Sequence, residues 1–291
     1  MDPFSGEGEL LNITTAFHTH AYQAVLDFDT SALSPENKST AQILKYRAQI
    51  ALGESSQVIS SLKSAKDAPS RSLLALAQQD TSAASSLAES DPEDPAVQIC
   101  AGTVLAAAGD YSTAIDLLTK HQGSLEAVAL LVQIHLLQNR TDLAVKEVQT
   151  AKRWAQDSLL INLAESWTNL REGGTEKYQS AFYVYEELAS TPGTTSPTAL
   201  VGQAVAELHL GRTEEAEAAL QHAVASENAD VQAIANSIVL ASVVGKKSEI
   251  VQGLIEQLRE KDREHAFLKD LEEKSQAFDV AASKYSAKAA A

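Results

Sequence analysis

Apolar residues recur at helical spacing along most of the chain, and the clearest instance is Pro197–Ser226. Leu200, Ala204 and Leu208 follow one another at four-residue intervals. After Leu210-Gly211-Arg212 come Ala216, Leu220, Ala223 and Val224. Both stripes have the period of a helix with one buried face. Gly211 suits the sharp turn between them because it tolerates positive φ. Thr213, followed by Glu214, Glu215 and Glu217, supplies an N-cap and negative charge at the start of the second helix. Ala204 and Ala216 stand seven before and five after the turn glycine. Two helices cross closely there only if neither side chain is large.

The unit repeats. Gly245 lies 34 residues after Gly211 (245 − 211), with Ile250 and Leu254 at the fifth and ninth positions beyond it. Asn139 carries Ala144 and Val148 at the same offsets, Gly109 carries Ala114 and Leu118, and Gly53 carries Val58 and Leu62. The interval between Gly53 and Gly109 predicts one further pair, around Arg71–Gln79 and Thr81–Ser90. Another is expected on Leu159–Leu170 and Tyr178–Ala189, with a stretched turn at Glu172–Thr175. One such pair cannot bury its apolar face, whereas a stack can. The pattern resembles degenerate tetratricopeptide (TPR) repeats, and the expected fold is an all-α, TPR-like α-solenoid of antiparallel helix pairs.

Taken in order, Asn12–Phe28 reads as one aromatic-rich helix. Ser34-Pro35-Glu36 opens the next, Ser39–Leu52. Arg263–Ser286 reads as an amphipathic helix whose Phe267, Leu268, Leu271 and Phe278 cap the stack. A single solenoid is expected over residues 10–286, including the capping helix 263–286, with residues 1–9 and 287–291 as flexible ends. Trp154 and Trp167 are expected to fill space between helices.

Composition narrows the function. One cysteine, Cys100, excludes a disulfide framework and a cysteine-built zinc site. The net charge of −16 argues against nucleic acid or anionic lipid as a direct partner. No signal peptide or membrane span is read, so membrane insertion is not expected. The sequons at Asn12, Asn37 and Asn139 then read as chance matches.

Catalytic motifs are sparse. Ala24–Thr30 is an apolar run followed by DxDx, as in haloacid-dehalogenase phosphatases, but it continues a helical stripe and reads as a helix end running into a loop. His18-Thr19-His20 places two imidazoles on different helix faces. No phosphate-binding glycine loop or GxSxG elbow occurs. No enzyme activity, metal or cofactor is expected.

A solenoid of this kind offers a concave groove lined by the first helix of each pair. Positions ten, six and three before each turn give Ile43, Arg47 and Ile50; Ile99, Thr103 and Ala106; Ala129, Gln133 and Leu136; Val201, Val205 and Leu208; and Ala235, Val239 and Ser242. From these, Ile99, Thr103, Ala129, Gln133, Leu136, Val201, Val205, Leu208, Ala235 and Val239 form the candidate partner-binding groove. Only Arg47 could hold a partner's carboxylate, so an apolar extended segment or hairpin is the better ligand. The competing reading is that these residues merely pack inside a tight superhelix.

A more specific resemblance lies in Ser124-Leu125-Glu126, Val132-Gln133-Ile134, Asp142-Leu143-Ala144, Leu163-Ala164 with Trp167, and Gly173-Gly174 with Glu176-Lys177. It continues through Ala181-Phe182-Tyr183, Gly202-Gln203-Ala204, Gly211-Arg212 and Glu215-Ala216-Glu217, and ends in His265, Phe267, Lys269, Lys274, Phe278 and Asp279. In order and spacing these pieces are similar to the coatomer ε-subunit family, though Ala266 stands where that family has proline. The resemblance implies a non-enzymatic subunit of the COPI vesicle coat, acting in Golgi-to-ER retrograde and intra-Golgi transport. It implies that the groove binds the C-terminal domain of the coatomer α-subunit, with only indirect contact to the other coat subunits. It also implies a cytoplasmic protein held peripherally on Golgi membranes and coated vesicles. The alternative is a generic TPR adaptor in another cytosolic complex.

Overall fold

The computed structural model describes residues 6–191, 196–226 and 231–285. Regular structure among them is entirely helical, and the chain forms two compact units, Met1–Ser196 and Pro197–Ala291. The fold class is that of an all-α, TPR-like solenoid. In the first unit α1 (Gly6–His18) and α2 (Tyr22–Asp27) precede the pairs α3 (Pro35–Ala51) with α4 (Ser55–Leu62) and α5 (Ala68–Gln78) with α6 (Thr81–Ser90). There follow α7 (Pro95–Ala107) with α8 (Tyr111–Leu118), α9 (Leu125–Leu137) with α10 (Thr141–Lys152), and α11 (Leu159–Glu172) with α12 (Thr175–Ser190). The second unit pairs α13 (Pro197–His209) with α14 (Thr213–Ala225) and α15 (Val231–Val243) with α16 (Ser248–Lys261), then adds α17 (Ala266–Ala282).

The turns share one device. The residue just past each turn donates its backbone N–H to a carbonyl five positions back: Glu54 to Gln49, Asp80 to Ala75, Asp110 to Leu105, Arg140 to His135, Arg212 to Glu207 and Lys246 to Ala241, all at 2.8–3.0 Å. This capping closes a helix only if the residue between adopts positive φ. Gly211 does so at 77°, whereas Gln79 and Asn139 are forced into the same region at 54° and 58°. The pair expected between Gly53 and Gly109 is therefore present as α5 and α6, its turn made by a residue without a sequence signature. At that pair Ser72 and Ala84 stand seven before and five after the turn residue, as Ala204 and Ala216 do around Gly211, and all four are buried.

Replacing Ala216 by leucine inserts three carbons where the side chain has no exposed surface. The expected cost is about 1–3 kcal/mol, read as a lower urea midpoint with unchanged slope. An unchanged midpoint would show that the crossing has room.

Several expectations are corrected. The helix read over residues 12–28 is broken at His20, whose φ is 61°, and Ala21 N–H caps α1 at the Ala16 carbonyl, 2.8 Å away. α2 then turns back, with Tyr22 edge-on to Phe17 and stacked on His20. Lys45 Nζ donates to the carbonyls of Leu26 and Phe28 (2.9 and 2.7 Å), satisfying acceptors at the C-terminal end of α2 that have no partner within the helix. Ser34 does not cap α3 with its side chain. Its hydroxyl donates instead to Glu9, which also accepts from Ser34 N–H and Asn37. Glu9 thus ties the first helix down, and the leader ends at α1 rather than running through residue 9; residues 1–5 and 286–291 lie outside the described residues. Thr213 is the first residue of α14 rather than its cap. Trp154 is 51% exposed and fills no inter-helix space, whereas Trp167 packs beside Val128 and Ile161 and hydrogen-bonds the Tyr185 hydroxyl.

Candidate partner-binding face

In the first unit most of the candidate face is occupied by the chain itself. Ile99 is buried, and Thr103 turns its hydroxyl onto the Ile99 carbonyl at 2.7 Å. Ile43, Tyr46 and Ile50 of α3 pack onto the same core. Ala129 is buried and Leu136 packs against Val128 and Val132, while Gln133 is open to solvent. Leu137, one residue beyond the position read from the sequence, is 64% exposed and stands four residues from Gln133.

Arg47 is fully engaged. Its Nη1 donates to both carboxylate oxygens of Glu126 at 3.1 and 2.8 Å, and its guanidinium lies 4.5 Å over the Phe17 ring. Burial pushes the Glu126 carboxyl up, but the charge and hydrogen bond of Arg47, together with His18, hold it below the ordinary range. His18 lies 3.6 Å from Glu126 on the other side, and burial lowers it to about 4, so it is neutral at pH 7. Glu126 therefore occupies Arg47 as a C-terminal carboxylate of a partner would. Cys100 shares this surrounding; burial raises its thiol to about 11, which leaves it unreactive.

The second unit is more open. Val201 and Ala235 are buried in helix packing, Val205 and Leu208 are half-buried, and Val239 is 37% exposed. Val243 continues the same helix face four residues on and is 64% exposed. The sequence register stopped at Ser242 and so missed it. These valines hold no titratable group or donor, and can bind only by shape and desolvation. On another side of this unit an apolar cavity of about 320 Å³ is lined by Leu220, Val224, Leu240, Ile250 and Leu254, with the Lys246–Glu217 ion pair at its edge.

The carboxylates of the DxDx match are engaged locally. Asp27 ends α2 and accepts from Gln23; Asp29 accepts from Ser31 N–H and hydroxyl, both at 2.8 Å, in an exposed loop. The strand that a DxDx phosphatase motif requires does not occur among the described residues. No group of three His, Cys, Asp or Glu side chains there has metal-site geometry, and no described helix is long and apolar enough to cross a membrane.

Comparison with known proteins decides the family. The model of the coatomer epsilon subunit family matches residues 6–286. The chain belongs to that family. The probable coatomer subunit epsilon of Schizosaccharomyces pombe is 33% identical over 246 residues, covering 83% of this chain and 84% of the relative. Coatomer subunit epsilon-1 of Arabidopsis thaliana is 32% identical over 281 residues, covering 92% and 94%. Among solved structures, a chain from the APC/C hetero-tetramer Cut9-Hcn1 superposes with a TM-score of 0.62 at 12% identity, over 92% of this chain and 54% of that one. A tetratricopeptide repeat protein from Parabacteroides merdae gives 0.50 at 9% identity, covering 87% and 98%. These two likenesses show the TPR fold. Membership of the coatomer epsilon family makes the chain a component of the COPI coat.

Proposed function

We propose that this coat component is a non-enzymatic structural subunit that binds the C-terminal domain of the coatomer α-subunit, and that it serves retrograde Golgi-to-ER and intra-Golgi transport. The observation that carries the reading is the apolar face of α15, open at Val239 and Val243, in a chain of the coatomer epsilon family. Half-buried Val205 and Leu208 on α13 extend the apolar character within the same unit. Exposed branched side chains with no polar partner suit an apolar segment of another protein. Attachment to Golgi membranes and vesicles is then indirect, through the other coat subunits.

The generic adaptor reading needs a cation free to take a C-terminal carboxylate. Arg47 is the cation the register offers, and Glu126 already satisfies it. Titrating the purified chain with the C-terminal domain of the α-subunit by calorimetry should give a saturable one-to-one complex. A C-terminal chaperone peptide should give no heat. Absence of the first complex at about 100 µM, where any Kd below the millimolar range registers, would overturn the proposal.

A further inference from the structure

The helix α17 is anchored only at its base. Phe267 and Leu268 join the core formed by Ile234, Ile238 and Leu258, and His265 caps the helix by accepting from Phe267 N–H at 3.2 Å. Every residue from Lys269 to Tyr285 is exposed, including Leu271 at 40% and Phe278 at 72%. The expected capping contacts of Leu271 and Phe278 are therefore not made.

What the helix carries instead is a seam. Leu271, Ser275, Phe278 and Ala282 continue the register of buried Leu268 in alternate three- and four-residue steps, the a and d positions of a heptad. The charges beside the seam are asymmetric. Glu272 and Asp279 line one flank at the e positions, and Lys274 lies on the other at g. In a parallel pair of such helices, each g residue faces the e residue five positions on in the other helix. Lys274 of each copy then meets Asp279 of the other, twice over by symmetry. In an antiparallel pair e faces e, which sets Glu272 against Asp279, two like charges.

We propose that α17 is a contact between copies of this chain, formed by parallel pairing of the two helices along this seam. The contact is weak by construction. Two large apolar residues per helix cover far less than the roughly 1,200 Å² of a stable interface, and a polar serine occupies the central a position. The net charge of −16 opposes approach of two free copies. As the chain is a coat component, copies concentrated on one surface supply the local concentration that weak pairing needs. The inference rests on the helix itself and not on the α-subunit reading.

The test uses the full chain. Parallel pairing sets position 282 opposite itself, whereas position 280 points to the far side of the helix. In a glutathione redox buffer, at about 0.5 mM protein as dilute copies will not pair, Ala282→Cys should form inter-chain disulfide at least about tenfold faster than Val280→Cys. Lys274→Glu in the Ala282→Cys background should remove the excess, and adding Asp279→Lys should restore it, since the exchange reverses both members of each pair. Circular dichroism keeps helix loss apart from contact loss. Equal crosslinking at 280 and 282 overturns the proposal, and so does failure of the charge exchange to restore it. The α-subunit titration is unaffected by either result, so the two readings fail separately.

Discussion

Replacing Arg47 by methionine is expected to lower the stability of the first unit by about 1–3 kcal/mol, the cost of leaving a partly buried carboxylate without its charged hydrogen-bond partner. The loss does not come from the attraction alone. Glu126 keeps its charge in a partly buried site, with neutral His18 3.6 Å away. Replacing both partners, Arg47→Met with Glu126→Leu, should recover much of the stability, because no charge is then left unpaired. Urea unfolding of the three proteins gives the comparison, and a double variant as unstable as Arg47→Met would refute the ion-pair account.

Acid should weaken the same cluster. His18 has its folded pKa depressed to about 4, so between the ordinary histidine value and that point the unfolded chain binds the extra proton and stability falls as pH falls. Glu126, also depressed, loses its contribution in the same direction as pH drops below the ordinary carboxylate range. The urea midpoint should decline from pH 7 to pH 5, and His18→Leu should flatten that part of the curve. A decline that persists in His18→Leu would place the titrating group elsewhere.

How much of this was legible follows from how local each feature is. The turns at Gly53, Gly109, Asn139, Gly211 and Gly245 could be read because positive φ is a demand on one residue. Gln79 meets the same demand with a side chain that gives no sign of it, and only the leftover interval pointed to a pair there. The break at His20 was hidden because the stripe from Phe17 to Phe28 keeps helical spacing across it. The Arg47–Glu126 pair joins residues 79 positions apart, and no local pattern links them. The candidate groove positions were counted from the turns, and that count is sensitive to helix rotation. Leu137 and Val243 are open while Leu136 packs, a shift of one residue or about 100° of turn. Amphipathicity also said that Leu271 and Phe278 need cover without saying whether this chain supplies it.

Charging the open face of α15 should abolish binding of the C-terminal domain of the coatomer α-subunit while leaving the fold intact. Val239→Asp with Val243→Asp places two carboxylates at positions already exposed in the free chain, so the unbound protein keeps them hydrated. If these positions are covered by an apolar segment of the α-subunit, both charges are desolvated without partners in the complex. Such burial costs several kcal/mol, or a loss of at least about a thousandfold in affinity. Gln221 is a poor control, because it lines the apolar cavity on the other side of this unit. Ala218, exposed on α14 and not among the residues that line that cavity, is better, and Ala218→Asp should bind as the unaltered chain does. Melting curves separate the outcomes. A folded double variant with normal affinity moves the α-subunit off this face, and an unfolded one returns Val239 and Val243 to the role of core residues.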